Sequence, residues 1–529
     1  MAAAAAQEAL EQRLLAGLPE GAADRDQREQ ATWLLAQQLG WHAREVRSEW
    51  WEYFRLHGLT PDELEREATA LGPLGEPELL GARGRSVHWR YSFPPQETKA
   101  SVGQRVEQMP APVGRRPVPA VVVDADPTAG WVVLSRGVNA GADHPQGLLP
   151  TSPLDPAVFR AALLDLGGFV ADHGIDAAGD RFRAARELLQ RRPPRLRPGT
   201  PMRIPGEGAA DAVRRLALAL DGGVLAVQGP PGAGKTHTGA RAVLDLVRAG
   251  RRVGITAHSH KVVGNLLDAV MDAARAEGVP LRALQKADDH QRCASTDVTC
   301  TSDNAAVVDA LDSGDVDVVA GTSWLFARPD LAGRLDVLVV DEAGQLALAP
   351  TLAVSRAARN LLLLGDPQQL RQPGKGIHPD GADVSALQHA LGEDEVLPVD
   401  QGVFLDRSWR MAPALCRVVS ELSYDGELRP APVTAPNAVE LPDRWAAPAG
   451  IGWVPVRHEG NGAASREEAA VVTRLVGDLM GRRWVDRGAA RVMGPADVLV
   501  VTPYNAQVNQ VRSSLAAAGL LRTWLTCAL

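Results

Sequence analysis

The sequence GPPGAGKT at residues 229–236 has the composition and spacing of a loop that wraps around nucleotide phosphates. Its glycines let backbone N–H groups approach the phosphates, and the following helix adds the positive end of its dipole. Lys235 would reach the β- and γ-phosphates, and Thr236 would bind Mg²⁺. A chance glycine-rich turn is the alternative, but lysine occurs only five times in the chain. The residues assigned to nucleotide binding are Gly229, Pro230, Pro231, Gly232, Ala233, Gly234, Lys235, Thr236 and His237.

Residues 338–345, LVVDEAGQ, place two adjacent carboxylates at the end of an apolar run. Asp341 would bind Mg²⁺ directly or through water, and Glu342 would orient or deprotonate the attacking water. An Asp-Glu pair after a strand is weak on its own, but it becomes specific downstream of a phosphate-binding loop. The expected cofactors are therefore ATP and Mg²⁺.

Residues 364–370, LGDPQQL, end the next apolar run. In a P-loop sheet a polar residue at this point faces the γ-phosphate, and the neutral Gln369 amide both donates and accepts hydrogen bonds. Gln369 would therefore report hydrolysis to the rest of the protein. Alone, an apolar run followed by Gly-Asp-Pro would be only a turn.

The elements that must position these motifs are apolar runs alternating with helical segments between residues 206 and 398. The runs are VLAV, VGIT, VDVVAG, LDVLVVDEA and LLLLGD. Runs that are apolar throughout indicate strands buried on both faces, so we expect a parallel sheet covered by helices. A similar pattern follows, with apolar runs at 451–456 and 497–503 and helices at about 465–480 and after Asn505.

The chain before residue 206 has three parts. Residues 1–85 have leucines at helical spacing, residues 86–145 contain short alternating strands separated by Pro and Gly, and residues 146–205 read as helical pieces and a linker. An aromatic cluster, WWEYF, lies at 50–54. We expect it to be a core patch, with base stacking as the less favoured alternative.

Composition narrows the class of protein. The 529 residues predict three or four domains, and 45% apolar content is ordinary for a folded chain. Without a long apolar run or a signal peptide, we expect a cytoplasmic protein with no membrane partner. The four cysteines, Cys293, Cys300, Cys416 and Cys527, form no CxxC pair, so neither zinc nor a disulfide framework is indicated. A net charge of -8 argues against a uniformly basic nucleic-acid-binding domain but permits a local groove.

The motifs together resemble those of a known family. DEAGQ followed by GDPQQL resembles motifs II and III of superfamily 1 helicases of the Upf-like branch. Residues 255–267 and 318–326 are similar to motif Ia and to the strand-binding motif after it. Residues 404–411, FLDRSWRM, resemble the start of the second RecA-like domain, and residues 500–508 resemble motif IV.

The resemblance implies an α/β fold, with a RecA-like P-loop ATPase domain at 206–398 and a partial second RecA-like domain at 399–529. It implies an ATP-dependent helicase or translocase core that hydrolyses ATP between the two domains while acting on single-stranded nucleic acid, DNA favoured over RNA. Arg410 matches the arginine that reaches the γ-phosphate and joins Lys235, Glu342 and Gln369 as catalytic candidates. The candidate strand contacts are Thr256, His258, Ser259, Thr322, Ser323 and Tyr504. A helix cap or a turn hydrogen bond is the ordinary alternative for each of these small polar residues.

A broader resemblance, which includes WWEYF and FPPQE (93–97), is to the helicase half of bacterial proteins that fuse a RecB-like nuclease to such a motor. It implies a nuclease domain in cis or in trans. The family's glutamine-bearing motif before the phosphate loop has no evident counterpart, and neither do motifs V and VI. We therefore expect a chain truncated before motif V. The alternatives are a nucleotide-binding scaffold with little turnover and a P-loop ATPase that acts on protein partners.

Overall fold

The fold is known from a computed structural model, which describes residues 2–84, 86–94, 96, 98, 100–110, 119–127, 129–137, 143–442 and 449–520. Cys527, two positions of the FPPQE segment (95 and 97) and the end of the predicted region 399–529 lie outside these ranges. The chain divides into two compact units. Unit 1 consists of residues 1–45 and 155–437, and unit 2 consists of residues 46–154 and 438–529.

The α-helices and β-strands are numbered in chain order. The helices are α1 (Ala2–Leu15), α2 (Gln27–Leu39), α3 (Trp41–His57), α4 (Ala157–His173), α5 (Arg183–Leu189), α6 (Ala209–Ala219), α7 (Lys235–Arg248), α8 (His260–Ala276), α9 (Asn304–Ser313), α10 (Ser323–Phe326), α11 (Leu348–Val354), α12 (Ala386–Leu391), α13 (Pro413–Ser423), α14 (Arg466–Leu479) and α15 (Asn505–Ala517). The strands are β1 (Glu78–Arg83), β2 (Ser86–Ser92), β3 (Arg105–Met109), β4 (Pro119–Asp126), β5 (Trp131–Gly137), β6 (Gly147–Pro150), β7 (Val224–Gln228), β8 (Val253–Thr256), β9 (Ala283–Lys286), β10 (Thr299–Thr301), β11 (Val318–Ala320), β12 (Leu335–Val340), β13 (Ala358–Gly365), β14 (Gly402–Phe404), β15 (Arg407–Ser408), β16 (Arg429–Pro430), β17 (Ala438–Val439), β18 (Arg483–Asp486) and β19 (Ala489–Val492). Short 3₁₀ helices lie at Ala22–Asp24, Glu63–Arg66, Asp289–Gln291, Pro329–Leu331, Ser355–Ala357, Pro432–Thr434 and Pro495–Asp497.

Unit 1 is built on an eight-stranded sheet in the order β10-β9-β11-β8-β12-β13-β7-β14, with every pair parallel. Both faces are covered, as the all-apolar strands predict. In β13, Leu361 and Leu363 pack into the core on the side of α1, α2, α4 and α11, whereas Leu362 and Leu364 pack on the side of α6, α7 and α8. The predicted strands at 224–227, 253–256, 316–321, 335–343 and 361–366 are confirmed as β7, β8, β11, β12 and β13, with shorter or longer bounds.

Unit 2 contains a six-stranded antiparallel sheet in the order β1-β2-β5-β4-β3-β6. The expectation of short strands after residue 86 is confirmed, but residues 147–150, which were expected to belong to a helical region, form β6. Leu148 packs into the core of the sheet, and Leu149 packs on Leu56 and Leu64 in a separate cluster. The core expectation for WWEYF is wrong for two residues. Trp51 and Phe54 are 75% and 63% exposed because they share one face of α3, and the Tyr53 hydroxyl on another face donates to Glu107.

The later part of unit 2 departs most from expectation. The predicted helices at 465–480 and after 505 are confirmed as α14 and α15, which pack together through Ala469, Val476, Val511 and Leu515. The apolar runs 451–456 and 497–503 form no strands, and Trp453 is 88% exposed. An apolar run becomes a strand only beside a hydrogen-bonding partner, and the described sheet here is antiparallel, β17-β18-β19.

With its parallel sheet, covering helices and N-terminal helical and small β regions, the described chain has the predicted α/β RecA-like fold class. No described helix combines the length and apolar character needed to cross a membrane.

Candidate active site

The phosphate-binding loop lies between β7, which is buried along its whole length, and the first residue of α7. Gly232 and Gly234 have φ values of +73° and +84°, the left-handed region that glycine adopts without steric cost. The Ala233 N–H donates to the Pro230 carbonyl at 3.0 Å, which curls the loop. The loop is therefore shaped before any phosphate arrives.

Lys235 occupies the start of α7, and its ammonium donates a 2.7 Å hydrogen bond to the Gly229 carbonyl. The lysine thus folds back over the loop, where its charge and the N-terminal end of α7 reinforce each other. Thr236 and His237 follow in the first turn and are exposed. The Thr236 hydroxyl is therefore accessible to a cation at the phosphates.

Asp341 directly follows β12, and its side chain lies in the interior at 5% exposure. Its N–H donates to the Thr256 carbonyl at 2.8 Å, and its carboxylate accepts the N–H of Glu342 at 2.9 Å. Burial, with the neighbouring Glu342 carboxylate, raises the pKa of Asp341 to about 7, and Lys235 opposes this rise. A buried carboxyl short of positive charge fits a magnesium ligand, because a divalent cation supplies that charge.

Glu342 has a left-handed backbone, with φ of +53°, which is uncommon for a residue with a side chain. Strained backbone of this kind is concentrated at functional sites, because only the surrounding structure holds it in place. The conformation places Glu342 immediately beside Asp341 at the end of the strand.

The loops after β12 and β13 meet through two glycines. A Cβ on Gly344 would lie 2.4 Å from the Asp366 carbonyl oxygen, and a Cβ on Gly365 would lie 2.5 Å from the Gly344 nitrogen. Gly365 also accepts a 2.8 Å hydrogen bond from the Gly229 N–H. Backbone contact therefore joins three of the predicted motifs at the carboxyl edge of the sheet, where parallel sheets bind ligands.

Gln369 contacts a residue that the sequence did not identify as functional. Its side-chain amide donates to the Asp366 carboxylate at 2.8 Å, and Tyr424 donates to the same oxygen at 2.7 Å. Sequence reasoning also missed Tyr424. The one sequence signal that could have found it is the rarity of tyrosine, which occurs four times in the chain. The polar face of Gln369 is thus fixed by a buried carboxylate.

Residues 405–411 pack directly on the phosphate loop. The Ser408 hydroxyl donates to the Pro231 carbonyl at 3.2 Å, and the Trp409 N–H donates to the Gly232 carbonyl at 2.8 Å. A Cβ on Gly232 would lie 2.4 Å from the Arg410 Cβ. Arg410 is exposed, and its guanidinium has no hydrogen bond or ion pair within the described ranges. The arginine therefore stands beside the loop with its charge available.

Trp409 is a second residue that sequence reasoning missed. Its ring carbon Cδ1 lies 3.9 Å from the position of a Cβ on Gly234, and the side chain is 52% exposed. An accessible aromatic ring beside a phosphate loop can stack on the base of a bound nucleotide. The signal in the sequence was an aromatic residue directly before the predicted arginine.

The candidate strand contacts lie in different environments. The Thr256 side chain is completely buried, its hydroxyl has no hydrogen-bond partner among the described residues, and Ser323 is 9% exposed. These placements remove Thr256 and Ser323 from the exposed surface that a strand could touch. His258 is exposed, and Ser259 caps α8 by accepting the Val262 N–H at 3.4 Å.

Thr322 and Tyr504 complete the set of candidate strand contacts. Thr322 is half-buried at the start of α10, and its side chain makes no capping hydrogen bond. In unit 2, Tyr504 is 56% exposed at the start of α15. Both therefore keep surface that a strand could contact.

Two consecutive family models, each described as an AAA domain, match residues 207–379 and 383–525 and together span more than half of the chain. A curated relative, DNA-binding protein SMUBP-2 of Mesocricetus auratus, is 26% identical over 361 residues, which cover 55% of this chain and 35% of the relative. The DNA polymerase alpha-associated DNA helicase A of Schizosaccharomyces pombe is 24% identical over 367 residues, covering 56% and 52%. This chain thus spans between a third and about half of the length of these relatives.

Among solved structures, the Arterivirus nonstructural protein 10 helicase overlaps 68% of this chain and 59% of its own, at 14% identity and a TM-score of 0.30. A TM-score of 0.30 is too low for this similarity to support a conclusion about the fold.

Proposed function

Because the chain belongs to the superfamily 1 helicases, we propose that it is an ATP-driven motor core that acts on single-stranded nucleic acid. The observation that carries this proposal is the meeting of the phosphate loop, the Asp341–Glu342 pair, the Gln369 loop and the Arg410 segment at one edge of the sheet. A site that only held nucleotide would not need a buried carboxylate, an adjacent strained glutamate and an accessible arginine together.

The roles follow from the contacts. Lys235 exchanges the Gly229 carbonyl for the β- and γ-phosphates, and the loop amides bind the remaining phosphate oxygens. Thr236 and Asp341 would hold Mg²⁺, and the ion would supply positive charge against the phosphates. Glu342 orients or deprotonates the attacking water.

Two further residues act on the γ-phosphate and the base. Arg410 places positive charge at the γ-phosphate, where an arginine can supply a factor of roughly 10³–10⁵ in rate. Trp409 stacks on the base, which compensates for the missing glutamine-bearing motif by binding the ring face rather than the adenine edge. Gln369 and Tyr424 both donate to Asp366, so a movement of Gln369 when the γ-phosphate is lost is transmitted through Asp366 and Tyr424 to the end of α13.

For the nucleic acid, we favour single-stranded DNA, in line with the names of the two curated relatives. In unit 1 we propose His258, Ser259 and Thr322 as strand contacts; in unit 2, taken by itself, we propose Tyr504. The domain division at 398–399 and a nuclease partner stay predictions from the sequence.

The test is ATP turnover by the 529-residue chain with and without a mixed-sequence single-stranded DNA, and with an RNA of the same sequence. We expect the strand to stimulate turnover and its binding to weaken steeply with salt, since phosphate contacts release counterions. If the chain binds nucleotide but shows no turnover in all of these conditions, it is a nucleotide-binding scaffold rather than a motor.

A further inference from the structure

Glu45, the fifth residue of α3, binds the backbone of the segment that follows Gln369. Its carboxylate accepts the N–H of Lys375 at 3.0 Å, the N–H of Gly376 at 2.9 Å and His378 Nε2 at 2.6 Å. A Cβ on Gly376 would lie 2.7 Å from the Arg44 carbonyl carbon, so the two backbones touch. All of these residues belong to unit 1.

The hydrogen-bond partners of His378 fix which ring nitrogen carries the hydrogen, because Arg44 can only donate. Arg44 Nε donates to His378 Nδ1 at 3.0 Å, so Nδ1 is unprotonated and Nε2 carries the hydrogen that Glu45 accepts. The imidazole is 1% exposed, and the Trp41 ring stacks on it at 5.3 Å with an interplanar angle of 17°. Three residues of one helical turn therefore fix His378.

A line of ring contacts continues from Trp41 to the candidate strand-binding segment. Trp41 meets His42 at 4.8 Å, His42 stacks on Phe159 of α4 at 4.9 Å, and Phe159 meets Trp324 at 4.7 Å. Trp324 is 39% exposed and lies two residues after Thr322. Contiguous side chains thus join residues 322–326 to residues 375–378.

Two polar atoms in this line are left without hydrogen bonds. Trp41 Nε1 and His42 Nε2 are buried, and neither has a partner among the described residues. Burial lowers the pKa of His42 to about 3, so its ring stays neutral. Unsatisfied buried polar atoms are rare because they cost stability. Ring packing, rather than polar chemistry, accounts for the placement of these two side chains.

We propose that residues 41–45 are a positioning element that couples strand binding at residues 322–326 to the segment 370–378 directly after Gln369. The inference rests on the proposed function, since it assumes that a single strand binds beside Trp324. A strand that displaces Trp324 must move Phe159 and the rings behind it, because close-packed interiors have no free volume to absorb the shift. Glu45 and His378 then transmit the movement to the backbone at 375–376.

Hydrogen exchange tests the link without requiring hydrolysis. In the wild-type chain, a saturating mixed-sequence single-stranded DNA should change the exchange rates of the 370–378 amides by about 2- to 30-fold. Phe159→Leu and Trp41→Leu keep an apolar side chain but remove a ring, so both should bind the strand yet lose this response. Phe169→Leu is the matched control, because Phe169 lies on the same helix but contacts His173 and Phe182 instead. Thermal melting establishes that each variant is folded, and Trp41→Leu, which loses no hydrogen bond, carries the test if Phe159→Leu does not fold.

Two further variants test the ring contacts and the Glu45 hydrogen bonds separately: His42→Phe changes a ring, and Glu45→Gln changes the carboxylate that binds the backbone at 375–376. His42→Phe preserves the ring contacts and removes an unsatisfied nitrogen, so it should keep the response. Glu45→Gln should speed exchange at Lys375 and Gly376 even without DNA, whereas Glu20→Gln, an exposed carboxylate without a side-chain partner in the described ranges, should not.

The outcomes distinguish this inference from the proposed function. Strand binding by anisotropy with no exchange response at 370–378, or an equal loss in Phe169→Leu, would overturn the coupling alone. Absence of any strand binding would overturn the proposed function and the coupling with it.

Discussion

The Tyr424 hydroxyl donates a 2.7 Å hydrogen bond to the Asp366 carboxylate, and the two side chains are 2% and 1% exposed. The same carboxylate oxygen accepts the Gln369 amide. Burial and the Asp366 charge raise the pKa of Tyr424 far above its ordinary value, so the hydroxyl remains a donor throughout the accessible pH range. The end of α13 and the loop after β13 are thus joined through one buried charge.

Tyr424→Phe should lower the free energy of unfolding of unit 1 by about 1.5–3 kcal/mol, the usual cost of removing a hydrogen bond to a buried charge. Urea unfolding followed by circular dichroism measures the change in the transition of unit 1. Tyr504→Phe, at an exposed position, is the control and should change stability by less than about 0.5 kcal/mol. Equal stability of the Tyr424 variant and the wild type would show that the contact contributes nothing.

Lys235→Ala should weaken ATP binding by about 10- to 150-fold, the range that corresponds to losing one charged hydrogen-bond donor. Titration calorimetry with a non-hydrolysable ATP analogue and Mg²⁺ gives the affinity. Lys261→Ala removes an exposed lysine on α8 and should bind as the wild type does. Unchanged affinity in Lys235→Ala would place the nucleotide elsewhere.

Glu342→Gln should retain nucleotide affinity and lose about 10²–10⁴-fold in turnover, because the amide no longer accepts a proton. Glu342→Gly should lose turnover equally without losing thermal stability, since glycine adopts the positive φ freely. Steady-state ATPase rates and melting temperatures are the two measurements. Glu393→Gln, an exposed carboxylate, should change neither, and an active Glu342→Gln would exclude the proposed role.

Gly365→Ala should destabilise unit 1 by about 1–3 kcal/mol, because the new Cβ would lie 2.5 Å from the Gly344 nitrogen. The comparison is Gly168→Ala in α4, where an added Cβ would meet no other described part of the chain within 4 Å, apart from the backbone of its own helix and its neighbours in sequence. That substitution should stabilise the protein by about 0.5–1 kcal/mol. Chemical denaturation of both variants gives the sign of each change, and a neutral Gly365→Ala would contradict the backbone contact.

Unit 1 should lose stability on acidification below pH 6.5. Burial lowers the pKa of His389 to about 4 and that of His42 to about 3, so both bind protons less readily in the folded state than in the unfolded chain. Below pH 6.5 each histidine lowers the stability by about 1.4 kcal/mol per pH unit until its folded pKa is reached. Asp341, whose pKa is raised to about 7 in the folded state, has the opposite sign and offsets one of the two histidines, so the net fall is about that of a single histidine. Melting temperatures from pH 7.5 to 4.5 should therefore drop, and the drop should be smaller in His42→Phe. An identical pH profile in that variant would contradict this assignment.

The sheet of unit 1 was predictable because its strands are continuous apolar runs and its motifs follow them directly. Three strands were missed, β9, β10 and β14, since each has only three or four residues and the apolar signal is short. The runs at 451–456 and 497–503 show the opposite error, because hydrophobicity alone does not supply a hydrogen-bonding neighbour.

The sequence predicts where a motif lies when the motif carries its own context: Lys235 begins α7 after a buried strand, and Asp341 directly follows β12, while their roles in the site stay predictions. Tyr424 and Asp366 lie 58 positions apart, so no local pattern could pair them. The exposed surfaces of Trp51 and Phe54 likewise depend on which face of α3 the rest of unit 2 covers. Pairing and burial of this kind are tertiary facts, and periodicity does not encode them.

In the sequence, residues 46–154 separate the two segments of unit 1, and this has a consequence for synthesis on the ribosome. The Gln38 amide donates to the Ala382 carbonyl, 344 positions later in the chain. At about 5–20 residues per second, α2 waits roughly 17–70 s for that partner. During this interval α2 exposes Leu34, Leu35 and Leu39, which are buried in the folded core, so we expect the growing chain to bind chaperones that recognise apolar segments.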